Sequence, residues 1–334
     1  MASLRDTALR KIQTIGPRFL PFADVATEAV PLSRLLRLSL FQVTVGMALV
    51  LLVGTLNRVM IVELGVPASL VGLMIALPLV FAPFRALIGY KSDIHRSALG
   101  WRRVPYIWRG TMLQFGGFAI MPFALLVLSG YDQAADAPIW IGHSAAALAF
   151  LLVGAGIHTV QTVGLALATD LVSVEEQPKV VGLMYVMLLL GMIGSALIFG
   201  WLLEPYTPGR LIQVVQGAAV ITVALNLLAL WKQEPRDRAR AARVETQPEF
   251  RDAWRLFVQG RTAVGLLTVI ALGTMGFGMA DVVLEPYGGQ VLDMAVGATT
   301  RLTAILAGGG LIGFAIASKV LMNGRDPLDV AWWG

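Results

Sequence analysis

Cysteine is absent from the chain, which excludes disulfides, thiolate nucleophiles and cysteine-held metal centres. Histidine is scarce, with three residues in all, so a metal site built from several side chains is not expected. Charge is thin as well: 14% of residues are Asp, Glu, Lys or Arg, against about a quarter in an average soluble domain. The motifs of soluble enzymes are missing. No Gly-x-Ser-x-Gly, no phosphate loop ending in Lys-Ser/Thr and no His-Glu-x-x-His occurs, and an enzyme is not expected. One Gly-x-Gly-x-x-Gly is present at Gly308, Gly310 and Gly313. It lies inside an apolar run without a preceding strand, so small-residue helix packing is expected there rather than a dinucleotide.

What the chain has is length in apolar blocks. Hydrophobic residues make up 57% of it and fall at roughly 36–62, 67–90, 104–129, 141–169, 180–203, 211–231, 262–284 and 299–321. Each can cross a bilayer as a helix, which takes about 20 residues. None alternates with period two, so a β-barrel is disfavoured. The expected fold is an all-α polytopic membrane protein. The first block starts too late and runs too long for a cleaved signal peptide.

The formal charge of +5 follows topology rather than a nucleic-acid surface. Arg5, Arg10, Lys11, Arg18, Arg34 and Arg37 precede the first block, and Lys91, Arg96, Arg102 and Arg103 follow the second. Eight more basic residues lie between Lys232 and Arg261, while "SGYDQAADAP" at 129–138 has none. This positive-inside pattern puts the N-terminus in the cytoplasm. Within 1–35, Leu4, Ala8, Ile12 and Ile15 share one helical face, which fits a short interfacial helix. A disordered basic tail fits equally, given Pro17 and Pro21.

The polar segment 232–261 separates a six-span unit, 36–231, from 262–334. Its end, "FRDAWRLFVQG", places Phe250, Trp254 and Phe257 on one face of an amphipathic surface helix. Six spans, a cytoplasmic linker and further spans resemble the major facilitator superfamily, with two six-helix halves. A short internal repeat agrees: Glu63 aligns with Glu285, and "LEPY" occurs at Leu203–Tyr206 and Leu284–Tyr287. In "GYKSDIHRSALGWRR", Gly89, Asp93, Gly100, Arg102 and Arg103 resemble that superfamily's loop between spans two and three, with residues inserted. There glycine permits close helix approach and the aspartate can cap or pair across the seam between halves. An ordinary basic loop would explain the arginines but not the glycine–aspartate spacing. About eight spans of an expected twelve are present, so the second half is expected to be incomplete.

Polar residues at membrane depth are costly and are the candidate functional groups. Arg58, Arg85 and Arg109 lie near block ends, where snorkelling to headgroups competes with a substrate role. Asn57 beside Arg58 favours an interior-facing pair. Asp281 and Glu285 are one turn apart and can share a face, although a solvated helix end is the simpler expectation. In "GIHTVQTVGLALATDL", His158, Gln161, Thr162 and Thr169 fall within an arc of about 100°. Two readings fit this stripe. Its side chains can hydrogen-bond to neighbouring helices at about 0.6 kcal/mol each, or His158 can serve as an axial ligand to a metal macrocycle.

Four strings carry a closer resemblance: "LNRVMIVELGVPASLVGLMIALPLVFAPFRALIGYKSD", "LGWRRVPYIWRGTMLQFGGFAIMPFALL", "GIHTVQTVGLALATDL" and "LEPYGGQVLDMAVGATTRLTAILAGGGLIGFA". Together they resemble the PucC/LhaA-type proteins of phototrophic bacteria, the bacteriochlorophyll-associated branch of the superfamily. The resemblance implies a non-enzymatic factor assembling light-harvesting complexes in the inner, intracytoplasmic photosynthetic membrane. Implied partners are antenna polypeptides, with the reaction centre or pigment-synthesis enzymes beside them, and the implied cofactor is bacteriochlorophyll. His158 is then the candidate ligand to the pigment's magnesium, with Gln161 and Thr162 near the ring's polar edge. The alternatives are a proton-coupled transporter using Arg58, Glu63, Asp281 and Glu285, and a scaffold that binds antenna polypeptides but no pigment.

Overall fold

The computed structural model describes residues 30–95, 97, 100–130, 134, 136–234, 249–326 and 329–330. The expected interfacial helix within 1–22 and most of the polar linker lie outside the described residues. Among the described residues, eight helices are long and apolar enough to cross a membrane. They are α1 (Leu32–Glu63), α2 (Ala68–Asp93), α3 (Val104–Ser129), α4 (Ile139–Asp170), α5 (Val174–Leu202) and α6 (Pro208–Leu230). After the short α7 (Phe250–Gln259) come α8 (Arg261–Gln290) and α9 (Val296–Met322). Among the described residues there is no strand. The first helix starts at Leu32, inside the segment expected to end at 35, because Pro31 in extended conformation sets its N-terminus.

Local chemistry shapes each helix. In α1 the α-helical part, Leu40–Leu49, gives way to π-helical turns at Val50–Leu56 and Val59–Glu63, just where Asn57 and Arg58 sit. Such widened turns often mark functional positions. Helix α2 breaks: it tightens to a 3₁₀ turn over Leu77–Phe81 and resumes as α-helix at Phe84–Asp93. Pro78 and Pro83 remove donors that a continuous helix would use. Helix α3 ends on Gly130 in the left-handed conformation that a C-terminal glycine adopts without strain. At 32 residues, α4 is about 48 Å long and exceeds the hydrocarbon core, so it tilts or projects beyond it.

Helices α1, α3, α4, α5 and α6 form the packed bundle, with Phe41, Phe118 and Phe150 fully buried in it. Helix α3 meets α4 backbone to backbone. A Cβ on Gly110 would lie 3.1 Å from the Gly156 carbonyl, and one on Gly117 would lie 2.7 Å from that of Ala149. A buried polar ladder joins three helices: Thr44 donates to Asn226 Oδ1 at 3.0 Å, and the Asn226 amide donates to Thr111 at 2.9 Å. Helix α9 packs on α5, and α8 rests on α1 and α9 with its first half exposed. Contrary to the packing expected of them, a Cβ added to Gly308 or Gly313 would meet nothing within 4 Å, and one on Gly310 only Leu189 at 3.8 Å.

Candidate functional site

The structure sorts the candidate residues into three clusters, one at the break in α2, one along the seam of α1 with α8 and α9, and one at the basic end.

At the break in α2, the resumed helix aims Arg85 at α4. Its Nε donates to the Thr162 hydroxyl at 2.9 Å and its Nη2 to Gln161 Oε1 at 3.1 Å. Arg85 is half-buried and has no carboxylate partner among the described residues. His158 lies one turn before Gln161 and Thr162 on α4, within electrostatic reach of Arg85 and beside the Pro78 backbone. Its Nδ1 is buried without a partner. The polar face of α4 therefore meets α2, and Gln161 and Thr162 are occupied by Arg85. Snorkelling does not describe Arg85, whose guanidinium is held on α4. Thr169 turns back to the Ala166 carbonyl of its own helix and leaves the stripe. Leu79, Val80 and Phe84 are exposed beside the break and supply an apolar flank.

Along the seam, Asn57 bridges α1 to α8 by donating to the Val53 and Val282 carbonyls at 3.0 and 2.7 Å. Arg58 is 3% exposed, which rules out snorkelling. It pairs with Glu63 at 2.6 Å and donates to the Met294 carbonyl at 2.8 Å, while its Nε is orphaned. The solvated end expected for Glu285 is also overturned: it is 1% exposed, accepts from the Thr303 hydroxyl of α9, and keeps Oε2 unpartnered. Its carboxylate fills the space where a Cβ on Gly54 would go, so the glycine in α1 makes room for it. Asp281 remains exposed, so the two acids do not share one environment. Both "LEPY" glutamates reach α9: Glu204 pairs with Arg301, as Glu285 does with Thr303. In the turn between α5 and α6, Tyr206 has its hydroxyl buried without a partner. Burial, then the Glu63 carboxylate, pushes its pKa up to about 12.

At the basic end, Arg103 pairs with Asp93 at 2.7 Å and with Asp170 at 2.6 Å, and Arg102 reaches the same Asp170 oxygen at 2.6 Å. The motif's aspartate thus pairs within its own loop, and the loop's two arginines lock onto the end of α4. Gly100 takes φ +81, a conformation that demands glycine. Gly89 sits against Thr162 at ordinary contact distance, 3.7 Å from a Cβ position. Arg109 is exposed, its guanidinium 5.5 Å from the Tyr106 ring. Two acids that sequence reasoning did not single out complete this end. Asp170 is one, and the other is Glu234, whose carboxylate accepts from the backbone N–H groups of Arg102, Arg103 and Val104 at 2.8–3.2 Å. The signal for Glu234 is weak in sequence, because it caps a helix that lies some 130 residues away.

Among the described residues, eight helices long and apolar enough to span a membrane, with Arg58 buried and Arg85 half-buried among them, define a multi-pass α-helical membrane protein organised around polar seams. Residues 55–334 match the sequence profile of the family described as PUCC protein. The chain is 68% identical to Protein PucC of Rhodovulum sulfidophilum, covering 100% of this chain and 74% of that one. It is 67% identical to Protein PucC of Rhodobacter capsulatus over 97% of this chain and 71% of the relative. A more distant relative, the Bacteriochlorophyll synthase 44.5 kDa chain of Rhodobacter capsulatus, is 28% identical over 86% of this chain and 64% of its own. The chain belongs to the PucC family.

Proposed function

We propose that the chain is a non-enzymatic membrane assembly factor for bacterial light-harvesting antenna complexes, which binds or delivers bacteriochlorophyll and guides antenna polypeptides. Family membership supports the general role, and one relative is itself named a bacteriochlorophyll synthase chain. The observation that carries the pigment reading is the Arg85–Gln161–Thr162 cluster beside His158 at the broken helix. Those residues fit the group chemically. His158 has an unpartnered buried ring nitrogen, Arg85 is a cation without a carboxylate among the described residues, and the exposed Leu79, Val80 and Phe84 offer an apolar wall. Bacteriochlorophyll would supply a magnesium open to a nitrogen ligand, together with carbonyl groups. In this reading His158 would hold the metal and Arg85 the carbonyls, while Gln161 and Thr162 hold Arg85 in position. The membrane is the inner photosynthetic one, with the basic end cytoplasmic and the helices arranged as in a major facilitator.

The test is purification of tagged protein from phototrophic membranes, with the antenna polypeptides quantified in the eluate. Their enrichment together with pigment is expected. Enrichment without pigment would reduce the chain to a scaffold, and the absence of both would remove the assembly role.

A second reading, a proton-coupled transporter of a small molecule, is favoured by Glu285, a buried carboxylate held between α1, α8 and α9. It predicts solute flux into proteoliposomes that follows a proton gradient and stops on neutralising Arg58, Glu63 or Glu285, with a smaller loss at Asp281.

A further inference from the structure

A cleft of about 1080 Å³ opens at the basic end of the bundle, between the start of α1, the start of α3 and the end of α6. Its walls include Trp101, Trp108 and Trp231, and its apolar floor includes Leu227 and Leu230. Tryptophan is the side chain that settles at the boundary between acyl chains and headgroups, so three around one cleft place it at that depth.

Charge decides what the cleft prefers. Arg34 donates to Gln233 Oε1 at 3.3 Å and to the Gln233 carbonyl at 2.7 Å, both neutral acceptors, so its charge is not cancelled. Lys232 is exposed and makes no ion pair among the described residues. The wall holds one acid, Glu234, whose carboxylate is turned to three backbone N–H groups at the positive end of α3, which offset part of its charge. Among the described residues the lining therefore carries two cations against one carboxylate, a net positive charge over an apolar, tryptophan-walled floor.

We infer that this cleft is a binding site for an anionic phospholipid, its phosphate held by Arg34 and Lys232 and an acyl chain laid along Leu227 and Leu230. A free anion would use the cations but leave the floor exposed, and a zwitterionic lipid would bring a cation of its own to Arg34 and Lys232. The occupied site would tie α1, α3 and α6 together at the end where Glu234 and Gln233 already join them.

Native mass spectrometry of the full chain tests this, with phosphatidylglycerol or phosphatidylcholine added to the detergent-purified protein. Phosphatidylglycerol is expected to stay bound to the wild type and phosphatidylcholine to leave. Each cation near an anionic headgroup is worth roughly a fivefold change in affinity, so Lys232→Gln should weaken retention by about that factor and Arg34→Gln/Lys232→Gln by roughly thirtyfold. Arg34 also anchors Gln233, so its variant can loosen the end of α6; Lys232→Gln disturbs no hydrogen bond described above and decides alone. Equal retention of the two lipids, unchanged retention in Lys232→Gln, or displacement of the lipid by inorganic phosphate would overturn the inference.

Discussion

The Arg103 guanidinium is 6% exposed yet meets Asp93, Asp170 and the Ser92 hydroxyl, so the loop between α2 and α3 and the end of α4 close on one cation. Burial works against its charge, but Asp170 and then Asp93 outweigh it and hold the pKa above its usual value. Because both acids are partly exposed, their pairing is screened. Arg103→Ala is expected to cost about 1–3 kcal/mol, with Arg103→Lys recovering only part, since lysine cannot fork between two carboxylates. Thermal unfolding in detergent measures both. Nearby, His95 stacks edge-on against Tyr106 at 5.1 Å. Partial burial and the Arg109 cation lower its pKa below 6.5, with Glu234 opposing. Its neutral form is the one the fold favours, so its contribution is complete above pH 6.5 and is lost as pH falls through that value toward the folded pKa. An NMR titration should show a lowered midpoint that moves back up in Arg109→Gln; an unmoved midpoint would refute the electrostatic cause. At this scale the sequence named Asp93, Arg102 and Arg103 but not Asp170 or Glu234, because acids at helix ends look solvated until their distant partners are known.

Between α3 and α4, small residues let backbones approach, and the cost of filling that gap is specific to position. A Cβ on Gly156 would lie 2.7 Å from the Gln114 backbone nitrogen, which cannot swing aside as a side chain can. On Gly116 the same atom meets nothing within 4 Å. Gly156→Ala should therefore destabilise by about 1–3 kcal/mol, while Gly116→Ala should be neutral or gain up to about 1 kcal/mol from helix propensity. Equal unfolding temperatures for the two variants would show that the close approach does not limit stability. The spanning helices were legible because apolar length alone specifies them, and the break in α2 was foreshadowed by Pro78 and Pro83. The π-helical turns of α1 were not legible. Nothing in "VLLVGTLNRVMIVE" announces them, and they arise where Asn57 and Arg58 must reach α8 and the chain before α9.

For the whole molecule, the basic loops that read as topology also build structure. Arg102, Arg103 and Arg34 each hold a partner at the same end of the bundle. The absence of cysteine makes their orientation directly measurable. In intact spheroplasts, a membrane-impermeant maleimide should label Asp136→Cys and spare Ser97→Cys until the membrane is opened; the reverse pattern would invert the topology. The polar face of α4 was visible as a stripe, but its partner was not, since only the fold brings Arg85 of α2 onto Gln161 and Thr162. For the same reason Glu285 read as a solvated end, when α1 and α9 in fact enclose it. The proposal that the cluster at the break in α2 holds pigment is tested most directly by the absorption spectrum of protein purified from pigment-producing membranes. Bound bacteriochlorophyll is expected in the wild type, and its loss in stably folded His158→Leu and Arg85→Leu. A pigment-free wild type, or equal pigment in all three proteins, would contradict it.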